Sequence, residues 1–162
     1  MAEARISTAR SDESETLASL WVDLADDQRT YGSHLLSGEN RQQIRETIVR
    51  HIVSNTLFVA RDDGIVGFVM FTIETAGYRQ DRTRGIIENI YVDPEYRNDG
   101  LGKRLLDAAE EELVERGADT VALEVLADNE DARRFYRRHG YESHRVELEK
   151  RVESDTHSKG DE

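Results

Sequence analysis

From Val92 to Lys103 the chain reads Val92-Asp93-Pro94-Glu95-Tyr96-Arg97-Asn98-Asp99-Gly100-Leu101-Gly102-Lys103, a strand end, a turn and the glycine-containing start of a helix. The chemistry that suits such a segment is anion binding. A helix N-terminus presents N–H groups without intrahelical acceptors and the positive end of the helix dipole, so it attracts phosphate. Gly100 and Gly102 remove side chains where a diphosphate would approach the backbone, and Arg97 and Lys103 add positive charge. An ordinary strand-to-helix turn, with glycine for backbone freedom, accounts for the same residues. The segment is neither the dinucleotide pattern GxGxxG nor the P-loop pattern GxxxxGK[ST]. Other chemistries lack their residues. The chain has no cysteine, hence no thiol nucleophile and no CxxC site. His34, His51, His139, His144 and His157 have no metal-ligand spacing, so no metal is expected. The G-x-S-x-G elbow of a serine hydrolase does not occur.

The elements that must carry this turn follow from periodicity. Residues 4–9 read as a short strand, and Ser11-Asp12-Glu13 offers helix-start chemistry before Leu17, Leu20, Trp21 and Leu24 at helical spacing. A polar connection with two glycines leads to a second helix from about residue 40, with Ile44, Ile48 and Ile52 four apart. The period then changes. Apolar runs at 57–60 and 65–73, joined by Asp62-Asp63-Gly64, predict a β-hairpin. Residues 86–92 predict a strand stopped by Asp93-Pro94. The stripe Leu101, Leu105, Ala109 and Leu113 predicts a helix over 100–116 closed by Gly117. A strand at 120–125, a helix at 129–139 and a last strand at 141–152, alternating at Val146 and Leu148, complete the chain. The order β-α-α-β-β-β-α-β-α-β makes an α+β or α/β sandwich around one mixed sheet.

With 162 residues the chain suits one domain: 1–152 as the folded unit, and 153–162 as a charged, apolar-poor tail expected to be disordered. The 34 acidic residues exceed the 22 basic ones, giving a net charge of −12, and lysine occurs only at Lys103, Lys150 and Lys159. Acidity spread over the whole chain fits adaptation to a high-salt interior; attraction for cationic substrates is the alternative. No basic stripe suggests a nucleic-acid surface, no apolar run approaches a membrane span, and the first residues lack a signal-peptide core. A cytoplasmic protein is expected.

In context the loop takes on a more specific meaning. Arg97-x-x-Gly100-x-Gly102, following Val92-x-Pro94-x-Tyr96 and preceding an amphipathic helix, resembles the CoA-binding signature of the GNAT N-acetyltransferases. Leu123-Glu124-Val125 and then Asn129-x-x-Ala132-x-x-Phe135-Tyr136-x-x-x-Gly140-Tyr141 resemble that family's later motif, in the right order and at the right separation. The resemblance implies the GNAT fold: α+β with α/β character, a central mixed, mostly antiparallel twisted sheet with a V-shaped splay, flanked by about four helices. It implies acetyl-CoA as acyl donor, an amine acceptor, and a homodimer, as relatives often form. Backbone N–H groups of Arg97, Asn98, Asp99, Gly100, Leu101, Gly102 and Lys103 would hold the CoA pyrophosphate. The backbone of Ile90, Tyr91 and Val92 would pair with the pantetheine arm as an added strand does. Asn129 matches the asparagine that contacts that arm; its residue type equally suits a helix N-cap. Two departures stand out. Asn98 occupies a position where relatives commonly carry glycine, and Asn tolerates left-handed geometry better than most residues. Asp99 puts a negative charge beside the phosphate site.

The implied reaction is attack of a primary amine, on a protein N-terminus, a lysine or a small molecule, on the acetyl thioester in a ternary complex. A lysine-like amine with pKa ~10.4 is neutral in only about one part in 2,500 at pH 7, a deficit of roughly 4.6 kcal/mol, so a base or a water chain to one is required. Glu88, on the strand entering the loop, and Glu124, in Leu-Glu-Val, are the candidate bases; each alternates with apolar neighbours, as a solvent-facing strand residue also would. Tyr136 matches the tyrosine that protonates the CoA sulfur in relatives, though an aromatic pair Phe135-Tyr136 also suits plain core packing. A non-catalytic acyl-CoA-binding sensor is the alternative reading of the same motifs.

Overall fold

A computed structural model describes residues 3–75 and 77–152. Among them are five strands and four α-helices: β1 (Arg5–Thr8), α1 (Ser14–Arg29), α2 (Arg41–Ser54), β2 (Leu57–Arg61), β3 (Ile65–Ile73), β4 (Arg84–Val92), α3 (Leu101–Glu115), β5 (Thr120–Leu123) and α4 (Glu130–Arg138). The sheet order is β1-β2-β3-β4-β5. The first four strands run antiparallel, and β5 joins β4 in parallel through the α3 crossover, as a parallel pair requires. The sheet is open and mixed, with a helical layer on each side, as the sequence pattern predicted. No described helix is long and apolar enough to cross a membrane.

Each layer rests on its own apolar cluster. Leu17, Ala18 and Trp21 of α1 and Ile48 of α2 pack with Val59, Phe68, Met70 and Tyr91 on one face. On the other, the stripe Leu101, Leu105, Ala109 and Leu113 of α3 packs on Ala60, Val69, Phe71 and Ile87. Leu105 and Leu113 are fully buried, each worth about 1.5–3 kcal/mol relative to exposure. Gly85 lets α3 approach β4 closely: a Cβ there would lie 2.8 Å from Leu113 Cδ1. The start of α1 is tied to the sheet by a buried ion pair. Arg61 Nη2 donates to Glu13 Oε1 at 2.9 Å and to the Thr8 carbonyl at 3.1 Å, while its Nη1 meets Glu13 Oε2. The hydrogen bond from Arg61 holds the Glu13 carboxyl below its ordinary range, against the opposing effect of burial.

One expected element is absent. Residues 141–152 form no strand, and Val146, Leu148 and Val152 stand exposed. Alternation prepares a segment for a sheet but supplies no partner. Here Tyr141 is held against α3 by its hydroxyl bond to Glu110, and the chain then runs to the α1–α2 connection, where Glu149 lies 2.9 Å from His34. The tail expected at 153–162 lies outside the described residues.

Candidate active site

The segment after β4 is shaped by short-range bonds. The Asp93 carboxylate accepts from the Glu95 N–H at 2.9 Å and opens a single 3-10 turn at Pro94–Tyr96. The Tyr96 hydroxyl donates to Asp62 in the β2–β3 turn at 2.7 Å. Arg97 Nε donates to the Val92 carbonyl at 2.8 Å. Asn98 (φ 68°) and Gly100 (φ 83°) then both take left-handed backbone, which costs asparagine little and glycine nothing. Asn98 therefore preserves the turn. Gly100 is the N-cap of α3 and places no side chain over its end. Arg104 N–H is bonded to the Gly100 carbonyl at 3.1 Å, so the N–H groups of Leu101, Gly102 and Lys103 precede the helical ladder and face outward. Asp99 is exposed, where water and salt screen its charge.

The side chains around this turn differ from a simple cationic cradle. Lys103 Nζ lies 2.6 Å from Asp107, one helical turn onward, and Arg97 uses its Nε within the loop. Gly102 is turned toward α4: a methyl there would meet Phe135 Cζ at 3.5 Å and Val92 Cγ2 at 3.8 Å. Both are ordinary contact distances, so a methyl fits there, and only a larger side chain would press on α4. Tyr136, next to Phe135, has its ring 5.2 Å from Phe135 and 5.8 Å from Tyr141, packed against the α3-side cluster. Burial alone pushes its phenol up to about 12 from an ordinary 10.0, so it remains a proton donor throughout the neutral range.

β4 changes character at one residue. Its parallel pairing with β5 runs from Arg84↔Thr120 to Ile87↔Leu123; toward Val92 it has left that partner. On its other side the register with β3 slips, Met70 facing Asn89 and Phe71 facing Ile87. Glu88 therefore sits in a β-bulge, at the point where β4 and β5 part. A bulge resets the alternation of faces. Ile87, Ile90 and Val92 pack on the α3 side, while Tyr91 packs under α1 and α2, stacked 5.7 Å from Phe68. Glu88 turns to the α2 side, with Oε1 3.0 Å from His51 Nε2. Glu88 and Tyr136 thus lie on opposite faces of the sheet, either side of the gap between β4 and β5.

The remaining candidates have plain surroundings. Glu124 is exposed beyond the end of β5, in a segment two residues shorter than the predicted strand. The Asn129 side-chain oxygen accepts from Ala132 N–H at 3.2 Å and caps α4, which leaves its amide N–H groups for another partner. His51, which approaches Glu88 from α2, and Thr56, which backs His51 from the turn after that helix, were not singled out from the sequence as site residues. The available signal was a histidine three residues after Ile48, on the buried stripe of an otherwise polar helix.

Comparison with known proteins is consistent with this geometry. The sequence model of the acetyltransferase (GNAT) family matches residues 17–141. An uncharacterized N-acetyltransferase of Methanocaldococcus jannaschii is 36% identical over 81 residues, 50% of this chain and 36% of that protein. N-alpha-acetyltransferase 30 of Schizosaccharomyces pombe is 35% identical over 85 residues, 52% of this chain and 55% of that protein. The matches thus span about a third to a half of these relatives' lengths. The solved structure of AAC(6')-Iy in complex with the bisubstrate analog CoA-S-monomethyl-acetylneamine superposes with a TM-score of 0.67 at 19% identity, covering 93% of this chain and 99% of that one; at that identity the likeness is one of fold.

Proposed function

The chain belongs to the acetyltransferase (GNAT) family, and from that premise we propose that it transfers an acetyl group from acetyl-CoA to a primary amine by direct attack in a ternary complex. The observation that carries the reading is the parting of β4 from β5 after Ile87, between a helix end with free N–H groups and a half-buried tyrosine. The outward N–H groups of Leu101, Gly102 and Lys103, with the turn at Asn98 and Gly100, suit the pyrophosphate of CoA. The edge of β4 at Ile90 and Tyr91 suits the amide-bearing arm, laid on as an extra strand. The Val92 carbonyl, already accepting from Arg97, is the weakest of the three for that purpose. The bisubstrate complex of AAC(6')-Iy supports CoA as the donor on this fold.

Glu88 is the better supported of the two candidate bases. It stands at the gap with one carboxylate oxygen against His51 and the other open, whereas Glu124 lies beyond the end of β5. Glu88 takes a proton from the incoming ammonium; the amine nitrogen bonds to the acetyl carbon; the carbon–sulfur bond breaks and the electron pair leaves on sulfur, while the nitrogen's second surplus proton passes to water to leave the neutral amide. Tyr136, on the opposite face, donates a hydrogen bond to that sulfur. With its phenol held up to about 12, hydrogen bonding to the thiolate is favoured over full proton transfer, since a thiol has an ordinary pKa of roughly 8.5. Among acceptors, the likeness to an N-alpha-acetyltransferase favours the terminal amine of a peptide over a lysine or small amine.

The test is an acceptor screen in molar KCl with peptides bearing free N-termini, lysine-containing peptides with blocked N-termini, and small polyamines, read as release of free CoA thiol. Amine-dependent release supports the reading. Binding of acetyl-CoA without release for any amine rejects it in favour of a sensor.

A further inference from the structure

We propose that His51 is the positioning residue of the acceptor side: backed by Thr56, it fixes the Glu88 carboxylate at the gap between β4 and β5. The inference rests on the reading of Glu88 as base. His51 Nε2 lies 3.0 Å from Glu88 Oε1, and its other ring nitrogen, Nδ1, lies 2.6 Å from Thr56 Oγ1. A ring nitrogen at that distance from a carboxylate must carry its proton, because two lone pairs would repel. The tautomer is thereby set with hydrogen on Nε2. Exposure rises along the line. Thr56 is 6% exposed, and the side chains of His51 and Glu88 are 12% and 37% exposed. A buried hydroxyl thus anchors a ring, and the ring anchors a carboxylate that reaches the open gap with its second oxygen.

The backbone around the three residues is fixed from several directions. α2 ends at Asn55 in left-handed conformation, and Thr56 N–H donates to the His51 carbonyl at 2.9 Å. That turn folds the Thr56 side chain back onto the ring of the helix it has just left. Arg116, the C-cap of α3, donates to the Ser54 and Asn55 carbonyls, each at 3.1 Å. The Thr56 carbonyl accepts from Phe71 N–H at 3.1 Å, and Phe71 flanks the register slip that leaves Glu88 unpaired. The bulge and the residue behind the histidine are therefore joined by one backbone bond. Thr56 also serves the ring in either charge state. Its hydroxyl donates to an unprotonated Nδ1, or accepts from Nδ1–H while donating to the His51 carbonyl, 3.4 Å away. The ring stays satisfied when a proton passes through Glu88, and the carboxylate keeps its place. A histidine serving only the packing of α2 would need Thr56 and no carboxylate.

The experiment compares His51→Leu, His51→Gln, Glu88→Gln and the double variant His51→Leu/Glu88→Gln, with steady-state kinetics on the amine giving fastest thiol release in the screen. A glutamine amide nitrogen can stand where Nε2 stands. Expected are a fall in kcat of about tenfold to hundredfold for His51→Leu, as for a displaced catalytic group, KM for acetyl-CoA within about twofold, recovery of most of kcat in His51→Gln, and little further loss when His51→Leu is added to Glu88→Gln. Nitrogen-15 NMR of the whole protein labelled at histidine should show hydrogen on Nε2 of His51, with a shift on Glu88→Gln. An unchanged kcat in His51→Leu beside a crippled Glu88→Gln overturns this inference alone. An unchanged kcat in Glu88→Gln overturns the base assignment and this inference with it. Should His51→Leu not fold, Thr56→Val is read the same way: a several-fold fall in kcat supports the line, and no change overturns it.

Discussion

The loop that opens α3 and the patch where α2 meets β4 lie on the two sides of one gap, yet they are built on different principles. The loop is a run of neighbours. Asp93 caps Glu95, Arg97 binds Val92, and left-handed backbone at Asn98 and Gly100 turns the chain into the helix. The patch is assembled from afar: Glu88 from β4, His51 from α2, Thr56 from the turn after it and Phe71 from β3. A site that binds through backbone N–H groups needs only the right local conformation. A site that moves a proton needs particular side chains held against each other, and those arrive from separate elements. On the proposed reading, the side that would hold CoA is local, and the side that would meet the acceptor depends on the packing of the α1–α2 layer.

Perturbing each side should expose that difference. The largest effect is expected between them, at Tyr136→Phe: turnover should fall roughly tenfold to ten-thousand-fold, with acetyl-CoA binding little changed. Because burial holds this phenol up to about 12 rather than 10.0, the donor form persists as pH rises through the ordinary tyrosine range. The kcat profile should then show no alkaline fall centred near 10.0 in wild type; such a fall, absent from Tyr136→Phe, would place the phenol in a more polar setting than the fold shows.

The acceptor side should feel a distant change. Glu13→Gln breaks the ion pair with Arg61 that ties the start of α1 to the sheet, and should cost about 3 kcal/mol in denaturant unfolding, since it leaves a charge without its partner. The sign with pH follows from the lowered folded-state value of Glu13. Its contribution is present above the ordinary carboxyl value of 4.5 and is lost as pH falls through the lowered one, so wild type and Glu13→Gln should converge in acid. Equal stability at neutral pH would show that the α1–α2 layer stands without this tie.

The loop should fail by a local route. Gly100→Val forces a β-branched residue into φ 83°, where the strain falls on the loop backbone although the side chain has room, and should weaken CoA binding about tenfold or more by calorimetry. Gly102→Val is a poorer probe, because it strikes Phe135. The smallest effect is expected at Lys103→Ala. Its ammonium is taken up by Asp107 and sits on the surface, so CoA affinity should change by less than about twofold. A tenfold loss there would mean that charge, and not backbone, holds the phosphates.

Much of this protein is legible from its residues alone. The switch from period four at Ile44, Ile48 and Ile52 to apolar runs at 57–60 and 65–73 marks where helices give way to strands, because each element buries one face at its own repeat. Asp62-Asp63-Gly64 announces the hairpin, and Asp63 and Gly64 do take positive φ. The stripe of α3, its glycine stop and the turn at Asn98 and Gly100 follow from side-chain size and backbone preference within a few residues. The bulge at Glu88 has no such local cause: it exists because β3 and β4 pair out of step. The same holds for His51 facing Glu88, for Lys103 turning to Asp107, for Gly102 meeting Phe135, and for residues 141–152, whose alternation suits a strand that finds no edge to join. Sequence determined what each segment prefers, since propensity, capping and periodicity act over one or two turns of chain. Which residues finally touch was decided only by the tertiary structure, because register and layer packing are set by contacts between elements that share no local signal.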